Sequence, residues 1–165
     1  QRATLPANYP LPGVLDALYA AGMLGQKTGK GFYYYAPGSR RPEPNPELLP
    51  LLQAVSRDKG IERRALSDEY IVERCLFALI NEGAKILQEG IARRSSDIDV
   101  IYLNGYGFAA WRGGPMFYAD SLGLDKVLAR IREFHQRFGA WWEPAPLLEK
   151  LVAEGRRFAD WKLDS

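Results

Sequence analysis

The feature that most constrains the fold of this chain is a long stretch in which apolar side chains recur every three or four residues. Its members are Ile71, Val72, Cys75, Leu76, Leu79, Ile80, Gly83, Ile86 and Leu87. This spacing places them on one face of an α-helix. Ser67 is a preferred N-cap residue, and Gly90 suits a left-handed C-terminal cap. The sequence therefore predicts a long amphipathic helix that must bury one face.

Shorter helices are predicted on both sides of the long one. Leu48, Leu49, Leu52 and Val55 share one helix face upstream. Downstream, we expect helices from Ser96, as N-cap, to Leu103, from Pro115, and over 125–138 and 146–154. Strand composition occurs only at Phe32–Tyr35 and Val100–Leu103. The expected fold class is all-α.

Residues 37–46 read PGSRRPEPNP, and four prolines in ten residues predict a linker. The expected organisation is therefore a segment 1–36, a linker 37–46 and a helical domain 47–165. Because the first residue is Gln1 and not Met, we expect a chain cut from a longer protein, with no signal segment.

Composition excludes several classes of function. The chain has 165 residues, of which 47% are hydrophobic, and a net charge of +2. This charge gives no reason to expect a nucleic-acid partner, and no apolar run reaches the roughly 18 residues of a membrane span. The single cysteine, Cys75, permits no internal disulfide and favours a reducing compartment.

Two glycine-rich stretches are similar to nucleotide-binding loops but fail the motif tests. In Gly25–Gly31, Gly29-Lys30 is followed by glycine instead of the Ser or Thr of a phosphate-binding loop. Gly105–Ala110 fits G-x-G-x-x-A, yet Gly113-Gly114-Pro115 follows too soon for a crossover helix. We interpret both stretches as caps and tight turns.

Four further residues and one loop are candidates for a functional role. His135 is the only histidine, without a visible metal-ligand cluster, and Cys75 on the apolar stripe predicts an inert core thiol. Asn81 and Glu82 lie mid-helix in the most apolar stretch. Two interpretations are open: the pair orients a ligand or partner or, as we favour, it forms hydrogen bonds within the domain at the edge of the buried helix face. The loop before Pro115 is equally compatible with an interface hot spot and with a turn folded on the long helix. Its candidate residues are Gly107, Phe108, Trp111, Arg112, Gly113, Gly114 and Pro115.

Several motifs, in order, resemble 3-hydroxyacyl-CoA dehydrogenases. The segment 25–33, GQKTGKGFY, resembles the end of their first C-terminal helical domain. The segments 71–84 and 87–91, with Asp97-Ile-Asp99, Gly105–Phe108, Arg112–Pro115, Tyr118–Asp120 and Gly123–Asp125, resemble their second. The pattern is similar to the C-terminus of multifunctional fatty-acid oxidation proteins, which join an enoyl-CoA hydratase domain, an NAD-binding Rossmann domain and two helical repeats.

This resemblance implies a 6-phosphogluconate dehydrogenase C-terminal-like helical domain. Residues 1–36 would be the tail of the first repeat, and 47–165 would be the second. The family's catalytic residues have no counterpart in the chain, so no catalytic, cofactor-binding or metal-binding residue is expected here, and NAD and acyl-CoA would bind the rest of a parent dehydrogenase. We expect a structural domain that packs on the first repeat and the Rossmann domain, self-associates as a fragment, and belongs to a bacterial cytoplasmic enzyme.

Two rival hypotheses belong to other functional classes. One is a free-standing helical interaction module, which would have no need of the tail of another domain at 1–36. The other is a small CoA- or nucleotide-binding protein that uses Lys27 and Lys30.

Overall fold

The structure, a computed structural model, describes residues 13–162. Contacts divide the chain into two units, and the division falls between Ala65 and Leu66. The sequence-based boundary lies earlier, at residue 47, so the helix after the proline-rich segment groups with the first unit instead of the second. Predictions for residues 1–12 and 163–165 lie outside the described residues.

The first unit contains two helices that pack against each other, α1 (Gly13–Ala20) and α2 (Leu48–Asp58). Between them, strands β1 (Tyr33–Tyr34) and β2 (Glu43–Pro44) form a two-residue antiparallel ladder. The ladder pairs Tyr33 with Pro44 and Tyr34 with Glu43. Helix α2 and the extended segment at 33–34 agree with the sequence pattern.

The proline-rich segment 37–46 is held within the first unit by Asn45. The Asn45 side chain is buried, and its amide Nδ2 donates to the Gly31 carbonyl oxygen at 2.6 Å. Its Oδ1 accepts from the Glu47 backbone N–H at 3.0 Å. Strand β2 and this buried amide give the expected linker a fixed conformation near its end.

The second unit is built from five helices in its described part. They are α3 (Asp68–Gln88), α4 (Ser95–Gly105), α5 (Pro115–Leu122), α6 (Leu124–Phe138) and α7 (Pro146–Ala153). Residues 100–103, whose composition also suits a strand, lie within α4. The all-α prediction is confirmed, and no helix in the described part of the chain is long and apolar enough to cross a membrane.

The core of the second unit lies where α3, α5, α6 and α7 meet. Its largest fully buried side chains are Ile80, Leu87, Met116, Val127, Ile131, Phe134, Leu148, Leu151 and Phe158. The Phe134 and Trp142 rings pack at an angle of 56° to each other, with centroids 4.6 Å apart. Burial of this apolar surface supplies the main driving force for packing the helices.

The ends of α3 form as the sequence predicts, whereas the start of α4 does not. The Ser67 hydroxyl accepts from the Tyr70 N–H at 3.2 Å. Gly90 has φ 72°, and the Ile91 N–H closes on the Ile86 carbonyl at 3.1 Å. Ser96 is not an N-cap, because α4 begins at Ser95 and the Arg94 N–H donates to the Asp97 carboxylate at 3.0 Å.

Gly83 allows α3 and α5 to approach closely. A Cβ at Gly83 would stand 2.5 Å from the Met116 sulfur, which is far closer than van der Waals contact. Glycine lowers helix stability by about 1 kcal/mol relative to alanine. The close approach of α3 and α5 explains why the position nevertheless carries glycine.

The first turn of α5 is held by a carboxylate on α4. The buried Asp99 accepts from the Met116 N–H at 2.8 Å and from the Phe117 N–H at 3.1 Å. Gly114, with φ 104°, leaves room for this group, since a Cβ there would lie 2.3 Å from Asp99 Oδ1. Asp99 thus satisfies amides that a helix N-terminus leaves without partners.

A second carboxylate extends the same arrangement from the other end of α5. Asp120 accepts from the Phe158 N–H at 2.8 Å and from the Ala159 N–H at 2.9 Å, which start a 3-10 turn over Phe158–Asp160. Burial raises the pKa of Asp99 and the pKa of Asp120 above their ordinary values, although the backbone amides act in the opposite direction. Desolvation of the charged form therefore outweighs its hydrogen bonds.

The raised pKa of Asp99 predicts a pH dependence of stability. A carboxyl with a higher pKa in the folded state contributes its full stability below its unfolded pKa, and this contribution is lost as pH rises through the folded pKa. In Asp99→Asn the titration is removed while an acceptor for Met116 remains. The free energy of unfolding of the wild type relative to Asp99→Asn should therefore fall as pH rises from about 3.9, the ordinary pKa of an aspartate, through the higher folded pKa of Asp99. Urea unfolding followed by circular dichroism measures this difference.

Asp160→Asn is the matched control, because hydrogen bonds from Arg157 lower the pKa of Asp160. Its contribution is present above the unfolded pKa and lost as pH falls through the folded pKa, so its slope should have the opposite sign. A pH-independent difference between wild type and Asp99→Asn would contradict the assignment of a raised pKa to Asp99.

Candidate functional site

The loop 106–114, between α4 and α5, folds back on α4. The Phe108 N–H donates to the Tyr102 carbonyl at 3.0 Å. The Tyr102 ring lies 5.2 Å from the Tyr106 ring and 6.2 Å from the Phe108 ring, measured between centroids. Gly107 and Gly113 adopt positive φ on either side of the 3-10 turn Ala110–Arg112. The loop is thus an ordered aromatic turn.

Arg112 connects this loop to α5 through two aromatic rings. Its guanidinium carbon lies 4.3 Å from the Trp111 ring centroid and 4.6 Å from the Tyr118 centroid. Cation–π contacts of this kind contribute about 0.5–1 kcal/mol at exposed sites. Trp111 nevertheless remains 78% exposed. The loop therefore combines internal packing with a large apolar side chain offered to solvent.

More apolar surface lies on the adjoining helices. Tyr106 is 75% exposed and Phe117, in the first turn of α5, is 61% exposed. Val100 and Ile101 on α4 are also exposed. Exposed aromatic groups beside an arginine are typical of protein–protein contact sites.

Asn81 is buried and bonded to backbone of a distant segment. Its Nδ2 donates to the Glu143 carbonyl at 2.8 Å, and its Oδ1 accepts from the Ala145 N–H at 2.8 Å. Two helical turns further along α3, Gln88 Oε1 accepts from the Leu147 N–H at 2.9 Å. These bonds attach α3 to the segment that leads into α7.

Glu82 lies apart from Asn81 and is exposed. Its carboxylate is 3.7 Å from the Lys85 ammonium, one turn away on the same helix. The pKa of Tyr102 is raised by burial, by Tyr106 and by the negative charge of Glu82. The structure therefore places Glu82 near the aromatic turn and Asn81 against 143–145, and does not bring them together as a polar pair.

The turn Gly25–Gly31 uses its polar groups internally. The Gly25 N–H donates to the Lys30 carbonyl at 2.9 Å, and Thr28 Oγ1 accepts from the Leu24 N–H at 2.9 Å. The Lys30 ammonium pairs with the Glu47 carboxylate at 2.8 Å. In the second stretch, Gly105 is the last residue of α4, so the strand of a dinucleotide site is absent from this position.

Cys75 is exposed, and its prediction as a core thiol was wrong. The stripe of α3 is wider than the core can cover, and Ile71, Val72 and Cys75 fall on its uncovered edge. His135 is half-buried on α6, with a buried Nδ1 that has no hydrogen-bond partner in the described residues. Among residues 13–162, no group of three or more His, Cys, Asp or Glu side chains is placed to hold a metal ion.

Asp99 and Asp120 are the structurally important residues that the sequence analysis missed as such. In the sequence, Asp99 and Asp120 stand out only as members of the motifs Asp97-Ile-Asp99 and Tyr118–Asp120, which carry the family resemblance. The signal that identifies Asp99 is its position beside Ile98, in the helix that precedes Gly113-Gly114-Pro115. The helix that begins at Pro115 needs an acceptor for its first backbone amides.

Comparisons with known proteins agree with the resemblance in the sequence. The family described as "3-hydroxyacyl-CoA dehydrogenase, C-terminal domain" matches residues 70–158. A peroxisomal bifunctional enzyme of Danio rerio is 48% identical over 149 residues, which cover 88% of this chain and 20% of the relative. The fatty acid oxidation complex subunit alpha of Vibrio vulnificus is 34% identical over 158 residues, covering 96% and 21%. The chain spans about a fifth of the length of these relatives.

A solved structure shares the fold. The dehydrogenase part of multifunctional enzyme 1 from C. elegans superposes with a TM-score of 0.64 at 24% identity, covering 90% of this chain and 34% of the other. The matched family region contains α3 with Asn81, the Asp99 carboxylate and the aromatic turn. The chain therefore belongs to the family of 3-hydroxyacyl-CoA dehydrogenase C-terminal domains.

Proposed function

We propose that this chain supplies a non-catalytic structural domain to an NAD-dependent (S)-3-hydroxyacyl-CoA dehydrogenase of fatty-acid β-oxidation. The observation that carries the proposal is the hydrogen bonding of Asn81 and Asp99. These buried polar side chains of the matched region bond to backbone groups of neighbouring segments. Such bonds hold helices together. The oxygen atoms of both side chains already accept hydrogen bonds from backbone N–H groups, so these oxygens serve packing instead of a reaction.

In this proposal the chemistry belongs to other parts of the parent enzyme. NAD and the acyl-CoA would bind the Rossmann domain and the first helical repeat, which are the partners of this domain. A parent that also hydrates enoyl-CoA fits the names of relatives, which include bifunctional and multifunctional enzymes. Bacterial relatives support a cytoplasmic parent, whereas the animal relatives are named peroxisomal.

Replacing the matched segment of a relative tests the dehydrogenase role. The Danio rerio enzyme would be prepared intact, without the segment matched here, and with this chain in its place. NADH oxidation with acetoacetyl-CoA should be lost on deletion and largely restored in the chimaera. The isolated chain should show no turnover, because the proposal places the reacting groups elsewhere.

Each alternative has its own outcome in this experiment. Turnover by the isolated chain would contradict the non-catalytic role. A folded chimaera no more active than the deletion would favour the free-standing interaction module. Tight binding of NADH or acetoacetyl-CoA to the isolated chain would favour a small ligand-binding protein instead.

The scaffold role of Asn81 predicts a stability effect. Asn81→Ala removes two hydrogen bonds and leaves the Ala145 N–H and Glu143 carbonyl without their partner. The free energy of unfolding should fall by about 2–3 kcal/mol, because each bond contributes roughly 1 kcal/mol and an orphaned group adds a penalty. Denaturant unfolding measures the change.

Asn104→Ala is the matched control, since its exposed amide only donates to the Val100 carbonyl of its own helix. We expect a change within about 0.5 kcal/mol there. If Asn81 served a ligand, Asn81→Ala would instead leave stability close to that of the control.

We also propose that the isolated chain self-associates. Part of the α3 stripe and the aromatic turn remain uncovered, with Ile71 46% and Trp111 78% exposed. Exposed apolar surface of this kind favours association. Light scattering over a concentration series should show dimers, and a strict monomer at the highest concentration would refute self-association.

A further inference from the structure

A groove on the second unit is lined by the first half of α3 and by the 3-10 turn Ala140–Trp142. Its volume is about 370 Å³, which lies within the range of about 300–1,000 Å³ that small-molecule sites occupy. Arg74 and Cys75 line it, together with Trp141 and Trp142. Among the described residues of the lining, Arg74 alone carries a charge. The groove therefore combines apolar and aromatic walls with a single cation.

The guanidinium of Arg74 is held in place without a counter-ion. Its central carbon lies 4.1 Å from the Phe138 ring centroid, so the packing of α6 on α3 positions it. Arg74 makes no ion pair within residues 13–162. The residues three and four positions away on α3 offer no carboxylate, since they are Tyr70, Ile71, Phe77 and Ala78. The positive charge is thus available to an anion that enters the groove.

The aromatic walls of the groove are fixed from behind by one core side chain. The rings of Trp142 and Tyr70 pack against Phe134, with centroid distances of 4.6 Å and 5.9 Å. Trp141, by contrast, is 59% exposed. Flat apolar rings pack well against such side chains in stacked or edge-to-face arrangements, and they gain more than the buried area alone supplies. The groove is therefore suited to a planar apolar body.

We infer that this groove binds an aromatic monocarboxylate. Its carboxylate accepts two N–H bonds from the fork of Arg74, because a planar guanidinium matches a carboxylate in this bidentate geometry. Its ring system packs against Trp141. A single negative charge balances the single cation of the lining. This site requires neither the dehydrogenase role nor the self-association proposed above.

Three probes separate the contributions of charge and ring. Isothermal titration calorimetry of the 165-residue chain at pH 7 would compare 2-naphthoate, 2-naphthol and octanoate. We expect one 2-naphthoate to bind per chain. Neutral 2-naphthol keeps the rings but loses the charged hydrogen bonds, so its binding should be about tenfold weaker or more. Octanoate keeps the carboxylate without a ring and should bind at least about threefold more weakly.

A first pair of variants tests the role of Arg74. Arg74→Gln should weaken the binding of 2-naphthoate about tenfold or more, and it should leave that of 2-naphthol within about twofold. Arg137→Gln is the matched control. The Arg137 guanidinium lies 5.3 Å from the same Phe138 ring, but Arg137 is not part of the groove lining. Its loss should change the affinity by less than about twofold, since solvent screens exposed charges.

A second pair of variants separates the groove from the aromatic turn. Trp141→Ala should weaken the binding of 2-naphthoate about tenfold, because it removes the ring contact. Trp111→Ala removes another exposed tryptophan, that of the aromatic turn, and should bind as wild type does. Circular dichroism would confirm that every variant is folded.

The thiol of Cys75 reports the position of the ligand directly. It is the single cysteine of the sequence and it is exposed in the groove. Saturating 2-naphthoate should therefore remove most of the rate at which N-ethylmaleimide alkylates the chain, as mass spectrometry measures it. In Arg74→Gln the same concentration should give much less protection.

The contrary results are distinct. Absence of saturable 2-naphthoate binding overturns the site. Binding that leaves Cys75 unprotected, or that is weakened equally by Arg137→Gln or by Trp111→Ala, places the ligand elsewhere and also overturns it. If 2-naphthol or octanoate binds as tightly as 2-naphthoate, the class of ligand is wrong. All these outcomes leave the chimaera result unaffected, so a failure of this site is distinguishable from a failure of the dehydrogenase role.

Discussion

The second unit depends on the buried carboxylate of Asp99. Helix α5 has only eight residues, too few to be stable by itself, and its first amides need an acceptor. Asp99 supplies that acceptor from α4, and Gly114 gives it room. Because α5 packs against α3, α4 and α6, fixing its start fixes the centre of the unit. The cost is the desolvation of a carboxylate, which is why the pKa of Asp99 is raised.

Hydrogen bonds from buried side chains to distant backbone groups also position the segments that lack long helices. Asn81 holds 143–145 against α3, and Asp120 holds the turn at 158–160 against α5. Apolar burial brings these pieces together without specifying their register, because the hydrophobic effect has no direction. Directed bonds from buried side chains select one arrangement among those that bury similar area. These hydrogen bonds therefore explain why short, irregular segments have defined positions against the core.

The helices could be predicted from the sequence because each signal is local. The period of the α3 stripe, the Ser67 cap, the Gly90 turn and the Pro115 start all act within one or two turns of the chain. The roles of Asp99 and Asn81 depend on partners 17 and more residues away, which no local pattern reveals. Cys75 was misplaced for a related reason: a periodic stripe indicates a face, but neighbouring helices decide how much of that face is covered.

Two glycines outside the stretches that are similar to nucleotide-binding loops allow close approach of neighbouring groups. Gly83 admits the Met116 side chain, and Gly114 admits the Asp99 carboxylate, so a Cβ at either position would displace a helix contact. The resemblance to dehydrogenase repeats rests largely on such positions. They describe how the repeat packs internally, and they say little about its outer faces. Even on the outer face of α6, the Arg130 guanidinium pairs with Glu73 of α3, so this charge connects two helices of the same unit.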